Sequence, residues 1–206
     1  MTDPLSRHTD YGQQPLLETE VLGDPIAQLR LWIGQADESS VYEPNAMVLS
    51  TIDPDGLPSS RTVLLRELDA HGLEFFTNYG SEKGLALLAH PEVSVVFPWY
   101  AIHRQVIVRG VAQPTNAAVS DAYFATRPLD SRIGAWASPQ SEVVMSRAVL
   151  VANAAKFGAK FLLQPQPRLR DRVCKHLGLE QRLLPVVGVA REGIGHFMVS
   201  TSMTKR

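Results

Sequence analysis

The chain has 206 residues, enough for one domain with small appendages, and its 45% hydrophobic and 20% charged composition is that of an ordinary globular protein. A net charge of −1 gives no electrostatic reason to expect nucleic acid or an anionic membrane surface as partner. A single cysteine, Cys174, rules out an internal disulfide; with no apolar run near the ~20 residues of a membrane span and no apolar signal region at the N-terminus, a cytoplasmic protein is expected.

Residues 1–23 are polar, interrupted by Pro4, Gly12, Pro15 and Gly23, and read as an irregular arm. Asp24-Pro25 has the form of an N-cap followed by proline at the first helical position. Ile26, Leu29, Trp32 and Ile33 then form an apolar stripe at helical spacing, read as core packing. Residues 46–52 form a strand, and Asp53-Pro54-Asp55-Gly56 is a strong turn signal. A second strand covers 59–68, Asp69-Ala70-His71-Gly72 is a second turn, and 73–77 a third strand, which makes an antiparallel meander.

Ser81 can cap a short helix over 82–90, ended by Pro91. Residues 93–97 read as a strand stopped by Pro98. Residues 104–112 read as another, with Gln105, Ile107 and Arg109 on one face and Val106 and Val108 on the other. Helices are expected over 116–126, 130–136 and 142–161. Five or six antiparallel strands without βαβ alternation favour a mainly β, α+β architecture: a small antiparallel barrel with helices packed outside it. The segment 162–206 differs in character: eight Lys/Arg against three acids give it a net +5, leaving −6 for the rest, and it contains no Trp or Tyr.

Common chemical signatures are absent: no phosphate-binding Walker loop, no Gly-x-Gly-x-x-Gly after a strand, no Gly-x-Ser-x-Gly elbow. The six histidines show no i, i+4 pair and no cysteine at zinc spacing, so no metal is expected. What remains is the strand Arg61-Thr62-Val63-Leu64-Leu65-Arg66, with a guanidinium at each end. Arginine's planar fork suits phosphate, and a charge near a core needs a partner. The strand therefore reads either as an anion site or as an edge strand with solvated ends. Strict alternation puts its two arginines on opposite faces.

Several segments in fixed order are more specific than any one of them. These are the 61–66 strand, Phe75-Phe76-Thr77-Asn78, Gly80-Ser81-Glu82-Lys83, Phe97-Pro98-Trp99, Arg104-Gln105-Val106, and Tyr123 followed by Arg127-Pro128. They end with Ser131-Arg132-Ile133-Gly134-Ala135-Trp136-Ala137-Ser138 and Gln140-Ser141. Over residues 24–161 the chain resembles the pyridoxamine 5′-phosphate oxidases, FMN-dependent enzymes that make pyridoxal 5′-phosphate. The resemblance implies a split β-barrel homodimer with FMN at the subunit interface.

By motif match, the resemblance implies that Arg61, Thr77 and Lys83 meet the FMN phosphate or its surroundings. It also implies that Thr62, the backbone of Val63, Leu64 and Leu65, and Phe76 line the flavin, that Gln105 reaches the ring system, and that Gln140 and Ser141 come from the partner subunit. Arg66, Tyr123, Arg127 and Ser131 would hold the substrate, with Arg66 between substrate and flavin. Tyr123, Arg127 and Ser131 are spaced four apart, which on a helical path is one face. The implied chemistry is cofactor-borne. A hydride passes from C4′ of pyridoxamine or pyridoxine 5′-phosphate to the flavin, and oxygen is reduced to hydrogen peroxide.

Three departures from the family stand out. Arg66 replaces a lysine usual there, and Glu82 stands where many members carry arginine. Residues 162–206 lack the family's Trp-Gly-Gly, Glu-Phe-Trp and Arg-x-His segments. That tail reads as divergence or as an altered reading frame. The alternatives to an oxidase of phosphorylated B6 vitamers are a relative that binds flavin or pyridoxal phosphate with weak or no turnover, and a barrel oxidoreductase with another substrate.

Overall fold

The computed structural model describes residues 4–6, 17–138, 140–163 and 173–178. Six antiparallel strands close into a barrel in the order β1-β2-β3-β6-β5-β4. They are β1 (Ala46–Ile52), β2 (Pro58–Asp69), β3 (Gly72–Asn78), β4 (Glu92–Trp99), β5 (Arg104–Pro114) and β6 (Val173–Gly178). Five helices flank them: α1 (Pro25–Glu38), α2 (Glu82–Ala89), α3 (Ala117–Thr126), α4 (Leu129–Ala137) and α5 (Arg147–Leu163). This is the fold class expected from the sequence.

Alternation dictates the barrel. Met47, Leu49 and Thr51 of β1, and Val93, Val95, Phe97 and Trp99 of β4, point inward and are buried. Val106 and Val108 of β5 join them, and Trp99 anchors its indole Nε1 by donating to the Pro44 carbonyl at 2.9 Å. The β1–β2 turn closes as its residues demand. Asp53 Oδ1 accepts from the backbone of Asp55 and Leu57, and Gly56 adopts a φ of 86°. Asp24 caps α1 by accepting from Ile26 N and Ala27 N, and Leu29, Trp32 and Ala36 are its buried face. A large apolar side chain such as Leu29 contributes about 1.5–3 kcal/mol on burial, and the Ala36 methyl about 0.8.

Three expectations change. Pro98 does not stop β4: it pairs with Gln105 inside the β4–β5 ladder. The β1–β4 ladder has ended by then, its last pair being Val48 with Val96, so a missing N–H costs nothing on that side. The last helix starts at Arg147 rather than 142; residues 142–146 are irregular, with Val143 and Met145 almost fully exposed. The segment 162–206, left without a place by the sequence, supplies a strand. β6 pairs with β3 from Gly72–Gly178 to Asn78–Val173 and with β5 from Val111–Gly178 to Pro114–Lys175. The remainder of that segment from 164 onward, including Arg170 to Arg172, lies outside the described residues, as do most of 1–16.

Candidate functional site

The site begins with an irregularity in β2. Leu65 pairs with Phe75 and Glu67 with Glu74, so Arg66 is an extra residue with nothing opposite it. A bulge of this kind re-aims a side chain. Leu65 and Leu68 turn into the core while Arg66 and Glu67 both turn out. Arg66 thereby faces a cavity of about 430 Å³ on the outer side of the β2–β3 pair.

β2 supplies Thr62, Val63, Leu64 and Arg66 to the cavity wall, and β3 supplies Phe76, Thr77 and Asn78. Beyond β3 the chain turns sharply. Asn78 Oδ1 accepts from Gly80 N at 2.9 Å, and Ser81 Oγ donates to the Asn78 carbonyl at 2.6 Å and accepts from Gly84 N at 3.3 Å. Gly84 is obligatory here, because a Cβ would stand 2.3 Å from the Tyr79 carbonyl oxygen and 2.6 Å from that of Asn78. The turn starts α2 and sets Lys83 on the wall, its Nζ 3.5 Å from Ser81 Oγ.

The far wall comes from α3, α4 and the segment after them: Tyr123, Arg127, Gly134, Ala135, Ser138 and Gln140. Tyr123 lies flat on Phe76, with ring centroids 3.5 Å apart and planes 5° from parallel. The Arg66 guanidinium carbon stands over the same tyrosine ring at 6.0 Å, and that of Arg127 over Phe124 at 5.8 Å. Tyr123, Arg127 and Ser131 do not share a helix face. α3 ends at Thr126, Arg127 is extended at ψ 144°, and α4 begins at Leu129. Pro128 is the cause, since a residue before proline is pushed out of the helical region. Tyr123 and Arg127 still reach the cavity; Ser131, in the first turn of α4, is not on its wall.

Three cations, Arg66, Lys83 and Arg127, line the cavity, and among the described residues its wall contains no carboxylate. Burial first, and the nearby Arg61 guanidinium second, hold the Lys83 ammonium below its ordinary value, while Glu82 pulls the other way. Glu82 itself is exposed and off the wall. A desolvated ammonium beside a second cation is a place where an anion gains on arrival.

The other expected residues sit differently. The Arg61 side chain is engaged with β1 and its own strand, donating to the Thr51 hydroxyl at 2.7 Å, the Ser59 hydroxyl at 2.8 Å, and the carbonyls of Ser59 and Leu49 at 3.1 and 3.3 Å. All four bonds come from the terminal nitrogens, so among the described residues Nε remains uncommitted, and the charge is felt at Lys83. Leu65 is core. Gln105 is half-buried on β5, and Ser141 lies at a φ of 68°, both away from the wall. Gln140, which the resemblance implied to act from a partner subunit, stands at the cavity of its own chain. Asn78, Gly134, Ala135 and Ser138 were not foreseen as wall residues. Their only signal was membership of the quoted motif segments.

A family model described as pyridoxamine 5′-phosphate oxidase matches residues 34–161. The chain is 52% identical over 155 residues to a pyridoxine/pyridoxamine 5′-phosphate oxidase of Polaromonas sp. strain JS666, covering 75% of this chain and 72% of that one. It is 49% identical over 161 residues to the protein of that name from Thermosynechococcus vestitus, covering 78% and 76%. Among solved structures it is similar to PhzG from Burkholderia lata 383 in complex with tetrahydrophenazine-1-carboxylic acid. The TM-score there is 0.73, at 30% identity over 80% of this chain and 81% of that one. An FMN-binding, pyridoxamine 5′-phosphate oxidase-related protein from Nostoc punctiforme shares the fold, with a TM-score of 0.54 at 16% identity over 75% and 80%.

Proposed function

This chain belongs to the pyridoxamine 5′-phosphate oxidase family, and on that premise we propose that it binds FMN and oxidises pyridoxine or pyridoxamine 5′-phosphate to pyridoxal 5′-phosphate, with oxygen as acceptor. The observation that carries the reading is the cavity wall with three cations and, among the described residues, no carboxylate. Two phosphates, one on the cofactor and one on the substrate, give such a wall its purpose.

The residues present fit FMN. A flat apolar ring suits Val63, Leu64 and Phe76 on adjacent strands, and a phosphate suits Lys83, the Thr77 hydroxyl and the Nε of Arg61. Thr62, the backbone of Leu65, Gln105, Gln140 and Ser141 complete the proposed set, Ser141 serving a partner subunit's flavin in a homodimer and Gln140, which lines the cavity of its own chain, lying where two such sites would meet. The nearly bare side chains of Val143 and Met145, just after this segment, support pairing of two copies. FMN, when bound, would supply the two-electron acceptance from the substrate carbon and the delivery to oxygen.

The chain's own contribution is binding and orientation. Arg127 and the Tyr123 hydroxyl grip the substrate phosphate, and Ser131 joins them only if the first turn of α4 moves toward the cavity. Arg66, on the cavity wall and free of hydrogen bonds among the described residues, would meet the vitamer between its phosphate and the flavin. The likeness to PhzG favours one second reading, in which the same cations take the carboxylate of a cyclic amine. The test is an absorption spectrum of the purified protein, followed by pyridoxine 5′-phosphate in air. Yellow protein that consumes oxygen and yields pyridoxal 5′-phosphate supports the first reading. Protein that FMN leaves colourless sinks it, and flavin bleached only by a carboxylated cyclic amine selects the second.

A further inference from the structure

We propose that Phe76 is a positioning residue for Tyr123: its ring is a stop that sets how deeply the tyrosine enters the cavity, and so where the hydroxyl meets the substrate phosphate. The inference rests on the reading above, in which that hydroxyl is a phosphate ligand. Centroids 3.5 Å apart with planes 5° from parallel put the two faces at the near limit of carbon–carbon contact. A sandwich this close is not the arrangement that ring quadrupoles prefer, which is offset or tilted. The two rings are therefore held together by what carries them, β3 and α3, and neither can advance without the other giving way.

Among the described residues the tyrosine hydroxyl has no hydrogen bond, and the other charged or aromatic group against its ring is the Arg66 guanidinium, at a loose 6.0 Å. The helix beneath it ends three residues later at Thr126, so the backbone cannot hold the ring from the C-terminal side. A flat aromatic face on β3 does that work. An aliphatic side chain at 76 would be narrower, and the tyrosine ring would sink toward the sheet, drawing its hydroxyl away from Arg127.

The experiment compares Phe76→Leu, Phe76→Tyr, Tyr123→Phe and the double variant Phe76→Leu/Tyr123→Phe. Substrate affinity is read by equilibrium dialysis of pyridoxine 5′-phosphate against FMN-free and FMN-loaded protein, FMN affinity by flavin fluorescence, and KM and kcat by oxygen uptake. Phe76→Leu is expected to weaken pyridoxine 5′-phosphate binding and raise KM by about 10-fold, with kcat changed far less, because misplacing a binding group acts on orientation. Phe76→Tyr, which keeps the flat face, recovers most of that affinity. In the Tyr123→Phe background, Phe76→Leu adds less than about 2-fold, the non-additivity of residues acting as one unit.

Unchanged dialysis and KM in Phe76→Leu would overturn the proposal. So would a loss confined to FMN affinity and kcat, which makes the ring a flavin wall only, or a fully additive double variant. Wild-type protein that binds neither FMN nor pyridoxine 5′-phosphate overturns the functional reading and this inference with it. Wild-type binding therefore separates the two failures.

Discussion

Arg61 and Arg66 lie on one strand, five residues apart, and the fold treats them oppositely. Arg61 precedes the bulge, faces β1, and spends its terminal nitrogens on Thr51, Ser59 and the Leu49 carbonyl. Arg66 is the bulge, faces the cavity, and among the described residues makes no hydrogen bond, its guanidinium carbon standing 6.0 Å from the Tyr123 ring. Arg127 resembles Arg66: it lines the cavity, and its guanidinium carbon stands 5.8 Å from the Phe124 ring. One set of cations is built into the scaffold and the other is left for a ligand. The difference teaches that a guanidinium's role follows from which acceptors the strand register brings to it, not from its place in a motif.

The contrast breaks first where the scaffold is least tolerant. Gly84→Ala forces a Cβ onto two backbone carbonyls, and the turn must open to relieve it. The expected loss is about 3 kcal/mol, a fall in the unfolding midpoint of about 6–12 °C, with FMN affinity lost alongside because Lys83 moves. A calorimetric midpoint equal to wild type would show that the turn is softer than its hydrogen bonds suggest.

Lys83→Met removes charge without removing the packed stem. FMN affinity is expected to fall by about 10- to 100-fold, the worth of a charge-assisted phosphate contact. The folded protein should lose no stability, since the ammonium is disfavoured there by burial and by Arg61. A flavin titration with unchanged affinity would move the phosphate elsewhere on the wall.

Arg61→Ala and Arg66→Ala test the comparison directly. Without Arg61, the buried Thr51 hydroxyl and the Leu49 carbonyl lose a donor, so urea unfolding should show a loss of about 1–3 kcal/mol even in FMN-free protein. Arg66→Ala should leave the unfolding midpoint within about 1 °C and raise KM for pyridoxine 5′-phosphate by about 10-fold. If the two variants exchange these signatures, the assignment of scaffold and ligand cations is reversed.

How much of this was legible in the chain depends on the type of signal. Strands β1 and β4 are readable because their buried residues alternate, and β1 has its predicted bounds; β3, buried at four consecutive residues, is readable from its apolar, β-compatible run between turn signals. Proline at 98 is a weaker stop than its type suggests, because only one of two ladders is still running there. The onset of α5 is obscured in the sequence because residues 142–146 are helix-compatible in composition, while Ser146, a cap-type residue, stands directly before the helix. β6 was invisible: its six residues carry no alternation strong enough to outweigh the prolines and arginines around them. At the site, Phe76, Thr77, Lys83, Tyr123, Arg127 and Gln140 were all named from the motif order, and all line one cavity. The residues missed there contribute by being small or by sitting at a turn, and small residues announce no chemistry.

The smallest expected effect is also the one that reads the cavity's electrostatics most directly. In the free protein Lys83 gives up its proton below 10.5, the ordinary lysine value. A bound phosphate favours the charged form, so binding takes up protons in the window between that lowered value and 10.5. FMN affinity should therefore fall as pH rises through the window. The sign for stability is opposite. There the unfolded chain holds the proton and the folded one does not, so the FMN-free protein gains stability as pH rises, and the gain shrinks when FMN is bound. Titrating flavin fluorescence against pH in wild type and in Lys83→Arg reads the binding side of this. The arginine stays charged, so its profile should be flat across the window. A wild-type profile equally flat would mean that the phosphate does not sit at Lys83, and that the paired cations there serve the scaffold like Arg61 rather than the ligand like Arg66.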